Sequence, residues 1–301
     1  MNIESGQKIA LITGAASRNG FGHATVERFL KDKSYKVYAA DKEKIGVDTF
    51  SDSGGLNIVH LDIRNSQEIE DVVERIIGAS GKINVLVNNA GVMSSGLPHT
   101  YIDGNGTLTD ELVEIYETNL AGPVILMKRV LENMRKAGGG TIVNVTSMIF
   151  HARSPFRSAY SDYKAIFDAA SERIAREEEK NNIRVFSVRP GNHKTAIDRG
   201  RWTSLSDNRD VQAAQRLYNW WRGIVGGDPS RVGEVIYNIA EGKIHKSPVL
   251  VGRDAEIVTF LDEKFPQQWP VIFKVGHDLA IAGIKEGLSI MNRQGTIYKR
   301  K

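Results

Sequence analysis

The chain has 301 residues, 41% of them hydrophobic and 25% charged, with 40 basic against 36 acidic side chains for a net charge of +4. This is the composition of a globular protein with ample core. The charge excess is too small for a nucleic-acid footprint, and the absence of cysteine excludes disulfides, thiolate metal sites and a cysteine nucleophile. No apolar run is long enough to span a membrane. Met1–Lys8 lacks the basic and apolar regions of a signal peptide, so a cytoplasmic location is expected.

Short β-branched runs alternate with amphipathic segments along the chain. Lys8–Thr13 predicts a first strand, followed by a glycine-rich turn and a helix over Ala24–Lys31. Tyr35–Ala40 predicts a second strand and Ile58–Leu61 a third, before a helix over Gln67–Ile77. Ile83–Asn88 is the fourth strand. Val92–Thr109 reads as a loop, and Glu111–Lys136 as one long helix. Thr141–Thr146 is the fifth strand, Ser158–Lys180 the next helix and Val185–Arg189 the sixth strand. Asn192–Asp228 is an addition rich in aromatics (Trp202, Tyr218, Trp220, Trp221). A helix over Ser230–Ala240 and a seventh strand over Pro248–Val251 follow, and beyond Trp269-Pro270 a mostly apolar helical pattern runs from Val271 to about Met291. Strands separated by helices rather than tight hairpins imply βαβ units, with right-handed crossovers covering both faces. The expected fold is α/β: a Rossmann-type, doubly wound, seven-stranded, mostly parallel sheet. It forms a single domain over 1–301, with a substrate flap at 192–228 and a C-terminal helical extension at 266–301.

The first strand runs into Thr13-Gly14-Ala15-Ala16-Ser17-Arg18-Asn19-Gly20-Phe21-Gly22 ahead of a helix. A pyrophosphate needs backbone N–H donors and the positive end of a helix dipole, and glycines let the backbone approach it closely. Gly14, Ser17, Arg18, Asn19, Gly20, Phe21 and Gly22 are therefore candidate cofactor residues. Asp41 ends the second strand, 19 residues after Gly22. An acid there accepts the ribose hydroxyls of an adenosine and repels a 2′-phosphate, which favours NAD over NADP. Arg18, Lys42 and Lys44 argue the other way, as cations able to meet that phosphate.

Tyr160 and Lys164 are four apart at the start of a helical pattern, so they share a face. A free tyrosine, with a pKa near 10, is a poor base at neutral pH. An ammonium roughly 4 Å away, at an effective dielectric of about 20, favours the phenolate by about 4 kcal/mol and makes Tyr160 a candidate general acid or base. Ser147 stands 13 residues earlier, at the end of the fifth strand, and Asn88-Asn89-Ala90-Gly91 closes the fourth. Carboxyl ends of strands line the ligand crevice of such sheets.

Together these residues resemble the short-chain dehydrogenase/reductase superfamily. The resemblance rests on the Thr13-Gly14…Gly20-Phe21-Gly22 turn, Asn88-Asn89-Ala90-Gly91, Asn119, Ser147, Tyr160…Lys164 and Pro190-Gly191…Thr195, all in the family's order. It covers about residues 8–195 strongly and 229–252 loosely. It implies that Tyr160 is the acid/base, that Lys164 assists it and holds the nicotinamide ribose, and that Ser147 binds the substrate oxygen. Asn119 would hold a water of the proton relay. Asp62 and Ile63 would meet the adenine, and Asn89, Ala90 and Gly91 the cofactor floor. Pro190, Gly191 and Thr195 would hold the carboxamide. Phe150, His151, Phe156 and Arg157 would form a pocket wall. Two departures from the family pattern stand out: the glycine turn is two residues longer than usual, and the loop after Gly91 is longer by about six. The expectation is an NAD(H)-linked enzyme interconverting a secondary alcohol and a ketone on a moderately hydrophobic small molecule. The alternatives are an NADP(H)-dependent ketoreductase and a catalytically dormant nucleotide-binding regulator. The family habit implies a homodimer or homotetramer.

Overall fold

In the computed structural model the described residues are 6–52, 54–93, 105, 107–152, 158–195, 197, 209–269 and 271. Strands β1 (Lys8–Thr13), β2 (Tyr35–Asp41), β3 (Leu56–His60), β4 (Val85–Asn88), β5 (Gly140–Val145), β6 (Ile183–Pro190) and β7 (Val249–Val251) form one sheet in the order β3-β2-β1-β4-β5-β6-β7. Every pairing is parallel, so the expected mostly parallel sheet is wholly parallel. The order reverses between β1 and β4, and crevices open beyond the carboxyl ends of strands at such a switch.

Alternation along the strands divides the core. Ile9, Leu11, Leu86 and Ile142 face α2 (Ser66–Ser80), α4 (Gly122–Lys136) and α6 (Ser158–Glu178), where Ile69, Val130 and Phe167 meet them. Ala10, Ile12, Val87 and Val143 face the other way, towards Val26 and Phe29 of α1 (Phe21–Leu30) and Val232 and Ile236 of α8 (Pro229–Ala240). Apolar side chains on both faces of each central strand are what a doubly covered parallel sheet requires. Helices α1 and α8 cross closely, since a Cβ on Gly233 would lie 2.7 Å from the carbonyl oxygen of Ala24.

Two elements depart from the sequence reading. The helix expected over Glu111–Lys136 is α3 (Asp110–Tyr116), a π turn over Glu117–Ala121 and then α4. Pro123 sits in the first turn of α4 and has no N–H to give the carbonyl four residues back, so the helix rewinds there. The 192–228 segment contains α7 (Arg209–Val225), whereas Trp202, Phe156, Arg157, most of the Val92–Thr109 loop and nearly all of the 266–301 segment lie outside the described residues. A short α5 (Ile149–Ala152) follows β5, and α9 (Arg253–Lys264) follows β7. Among the described residues no helix is long and apolar enough to cross a membrane.

Candidate active site

The glycine turn is built around one asparagine. Asn89 Nδ2 donates to the carbonyls of Thr13 and Gly14 at 2.8 and 3.1 Å, and Thr13 Oγ1 accepts from the backbone N–H groups of Asn89 and Ala90, each at 3.0 Å. This ties the end of β4 to the end of β1. A Cβ at Gly14 would lie 2.7 Å from Asn89 Nδ2, and one at Gly22 would lie 2.1 Å from the Gly14 carbonyl oxygen. Gly14 also has φ +72°, so two glycines of the turn are required by packing and conformation.

Beyond the turn, α1 follows Gly20 with no side-chain cap, whereas α2, α3 and α8 are capped by Asn65, Thr109 and Asp228. Uncapped N–H groups of a first turn suit an anion. Asp41 completes the rim: its Oδ2 accepts from Ala16 N–H at 2.8 Å and its Oδ1 from Glu43 N–H at 3.0 Å. Each oxygen keeps further acceptor capacity.

The cleft over this turn is lined by Gly14, Ser17, Gly20, Phe21, Asp41, Asp62, Ile63, Asn89, Ala90 and Gly91 at one end, and by Tyr160, Lys164 and Thr195 at the other. These thirteen residues, all singled out in the sequence, thus share one cavity. Arg18 and Asn19 do not line it. They border a separate groove with Lys31, Lys194 and Arg231, on the α8 side of the turn. Lys42 does line the cleft, with its Nζ 3.5 Å from Glu114, and Lys44 is exposed.

The catalytic candidates sit in a dry environment. Tyr160 and Lys164 are 5% and 4% exposed, and Lys164 Nζ is 5.8 Å from the centre of the Tyr160 ring. The ammonium donates to the Val145 carbonyl at 2.9 Å. Burial pushes it down to about 8 from the ordinary lysine range, because desolvation penalises the charged form. Gly91 makes room for the neighbouring Asn119: a Cβ there would lie 2.9 Å from Asn119 Oδ1, and in ordinary contact, at 3.6 Å, with Lys164 Nζ.

Asn119 is fully buried in the π turn. Its Nδ2 donates to the carbonyls of Val92 and Ile115, and its Oδ1 accepts from Val92 N–H. The side-chain donors are therefore spent on backbone. Four residues on, Pro123 has no N–H to offer the Asn119 carbonyl.

Ser147 stands just past β5, and its Oγ accepts from Ile149 N–H at 3.1 Å. Asp62 is held by Arg64, whose guanidinium gives bonds of 2.6 to 3.1 Å and keeps the Asp62 carboxyl below its usual range. Tyr163 points elsewhere and stacks at a tilt on Tyr116, with ring centres 5.6 Å apart. His151 is a bridging residue: its Nδ1 lies 2.9 Å from Asp262 Oδ2 and its Nε2 3.3 Å from an Arg189 nitrogen. Pro190 and Gly191 end β6 and lead to Thr195.

Several lining residues were assigned no role from the sequence: Thr13, Leu61, Val92, Thr118, Val145, Thr146 and Ile197. Thr118 has a buried hydroxyl with no hydrogen-bond partner among the described residues. Its signal in the sequence was its place beside Asn119.

A family model described as short chain dehydrogenase matches residues 8–205. A 3-ketodihydrosphingosine reductase of Bacteroides thetaiotaomicron is 32% identical over 205 residues, covering 68% of this chain and 68% of its own. The oxidoreductase YusZ of Bacillus subtilis is 28% identical over 288 residues, covering 89% of this chain and 98% of its own. A solved short-chain dehydrogenase from Streptomyces avermitilis superposes with a TM-score of 0.70 at 24% identity, covering 90% of this chain and 98% of that one. At that identity the likeness speaks to fold alone.

Proposed function

Because the chain belongs to the short-chain dehydrogenase/reductase family, whose members are nicotinamide-dependent oxidoreductases acting on CH–OH or carbonyl groups, we propose that it interconverts a secondary alcohol and a ketone on a moderately hydrophobic small molecule with NAD(H). The observation that carries this reading is the shared cleft. A buried Tyr160–Lys164 pair lines the same cavity as the uncapped start of α1 and its glycine turn. The nicotinamide, when bound, supplies or accepts the hydride.

The chain's own residues manage the proton. In the reducing direction the Tyr160 hydroxyl gives its proton to the carbonyl oxygen, and in the oxidising direction the phenolate takes it back. Lys164 is a desolvated cation beside that ring, and a nearby positive charge favours the phenolate. Ser147 Oγ hydrogen-bonds the substrate oxygen and orients it towards Tyr160. A water on the Asn119 carbonyl would return protons to Lys164. The glycine turn and the first N–H groups of α1 hold the pyrophosphate, and Asp41 accepts the adenosine ribose hydroxyls.

The NAD(H) assignment rests on the Asp41 carboxylate at the rim of the cleft. Lys42 beside it favours NADP(H), though Glu114 competes for its charge. Fluorescence titration with NADH and NADPH, followed by turnover over a panel of ketones, tests both parts. Tighter NADH binding and measurable turnover are expected. Tighter NADPH binding overturns the cofactor assignment, and cofactor binding without turnover would favour a dormant regulator.

A further inference from the structure

The loop that follows β6 is fastened to α9 by a buried acid. Asp254, in the first turn of α9, is 4% exposed. Its Oδ2 accepts from the Asn192 backbone N–H at 2.7 Å and from Asn192 Nδ2 at 2.9 Å. Two glycines make room for it: a Cβ at Gly191 would lie 2.1 Å from Asp254 Oδ1, and one at Gly252 would lie 2.8 Å from it. Gly252 also has φ +116°, a conformation that few other residues adopt. Burying an acid is costly unless it is hydrogen-bonded, and the first turn of a helix is where backbone dipoles favour negative charge. The chain thus gives up two side chains and desolvates a carboxyl group to hold one asparagine.

The rest of the loop is held by backbone. Gly191 N–H donates to Val251, Gly227 N–H to Asn192 and Lys194 N–H to Gly227, at 2.9 to 3.0 Å. From this clamp the chain reaches Thr195, which lines the cleft with Tyr160 and Lys164, whereas Asp254 itself does not reach the cleft.

We propose that Asp254 is a positioning residue for the nicotinamide half of the cofactor, acting through Asn192 to fix the 190–195 loop so that Thr195 faces the cleft. This inference rests on the cofactor reading above. It also gives Gly191 a packing role, since its missing Cβ is the space the Asp254 carboxyl occupies.

The test compares two ligands that differ at the nicotinamide. NADH and ADP-ribose, which lacks that ring, are titrated against the full-length protein and against Asp254→Ala and Asp254→Asn. In Asp254→Ala the NADH affinity is expected to fall about tenfold or more, while ADP-ribose stays within about twofold. Asp254→Asn, which keeps the volume and one acceptor oxygen, is expected to lie between. Equal loss of both ligands, or loss of neither, overturns the proposal. Should the alanine variant fail to fold, the asparagine variant decides by the same comparison. A wild-type protein that binds neither NADH nor NADPH overturns the cofactor reading and this inference with it. Normal wild-type binding with no selective loss in the variants overturns this inference alone.

Discussion

Lys164 is a cation held almost wholly inside the fold. Burial pushes its ammonium to about 8, so at neutral pH it still carries its proton and the fold bears the desolvation. The folded value lies below the unfolded one, so the native state gives up this proton first and stability rises with pH between about 8 and about 10.5. In Lys164→Met this gain is absent. The difference in urea-unfolding free energy between wild type and variant is therefore expected to stay flat below pH 8, then move in favour of wild type by up to about 3 kcal/mol towards pH 10.5. A difference that does not change across that window would contradict the buried placement of the ammonium.

Asp41 gives a second test at the scale of one side chain. It accepts from two backbone N–H groups of the turn and the β2 end, and it faces the cleft. Asp41→Ala is expected to weaken NADH about tenfold while leaving NADPH nearly unchanged, and to cost roughly 1–3 kcal/mol of stability through the lost bonds. Paired cofactor titrations and urea melts read the two effects separately. The first effect was legible in the sequence, from an acid at the end of a second strand. The second was not, because the partner at Ala16 is 25 residues away.

Among the elements, the junction of β1 with α1 is the most tightly constrained. Gly22→Ala would drive its Cβ to 2.1 Å from the Gly14 carbonyl oxygen and 2.6 Å from Asn89 Nδ2. Such overpacking costs about 1–3 kcal/mol, and here it displaces the turn that holds the cofactor. NADH titration is expected to register at least about a tenfold loss of affinity. Gly78→Ala is the matched control. Gly78 lies on the exposed side of α2 with nothing within 4 Å of a new Cβ, so the variant is expected to gain about 0.5–1 kcal/mol in a urea melt with unchanged binding. Periodicity found both helices, and a glycine cluster after a first strand marked the turn. The π turn before α4 escaped that reading because an extra residue in one helical turn barely disturbs the apolar pattern, although Pro123 was a visible sign.

At the scale of the molecule, the seven strands of the described residues were legible, because strands of a parallel sheet covered on both faces appear as short β-branched runs. The cleft was legible where its residues follow one another at fixed spacing, as with Tyr160 and Lys164, four apart and lining it together. It was not legible where distant segments meet. Asp254 grips Asn192 from 62 residues away, and His151 meets Asp262 across 111. Nothing in local spacing encodes such pairs; they follow from the order of β6 and β7 in the sheet and from the docking of α9. Likewise Arg18 lies in the glycine turn by sequence, yet the fold turns it towards a different groove from the one Asp41 faces.

The proposed chemistry moves one proton at the Tyr160 oxygen, and Tyr160→Phe removes that oxygen. This change removes a hydroxyl and keeps the ring that fills the buried site. Turnover of a ketone with NADH is expected to fall by about a thousandfold, with NADH affinity, read by fluorescence titration on the same preparation, within about twofold of wild type. Retained turnover in Tyr160→Phe would show that another group carries the proton.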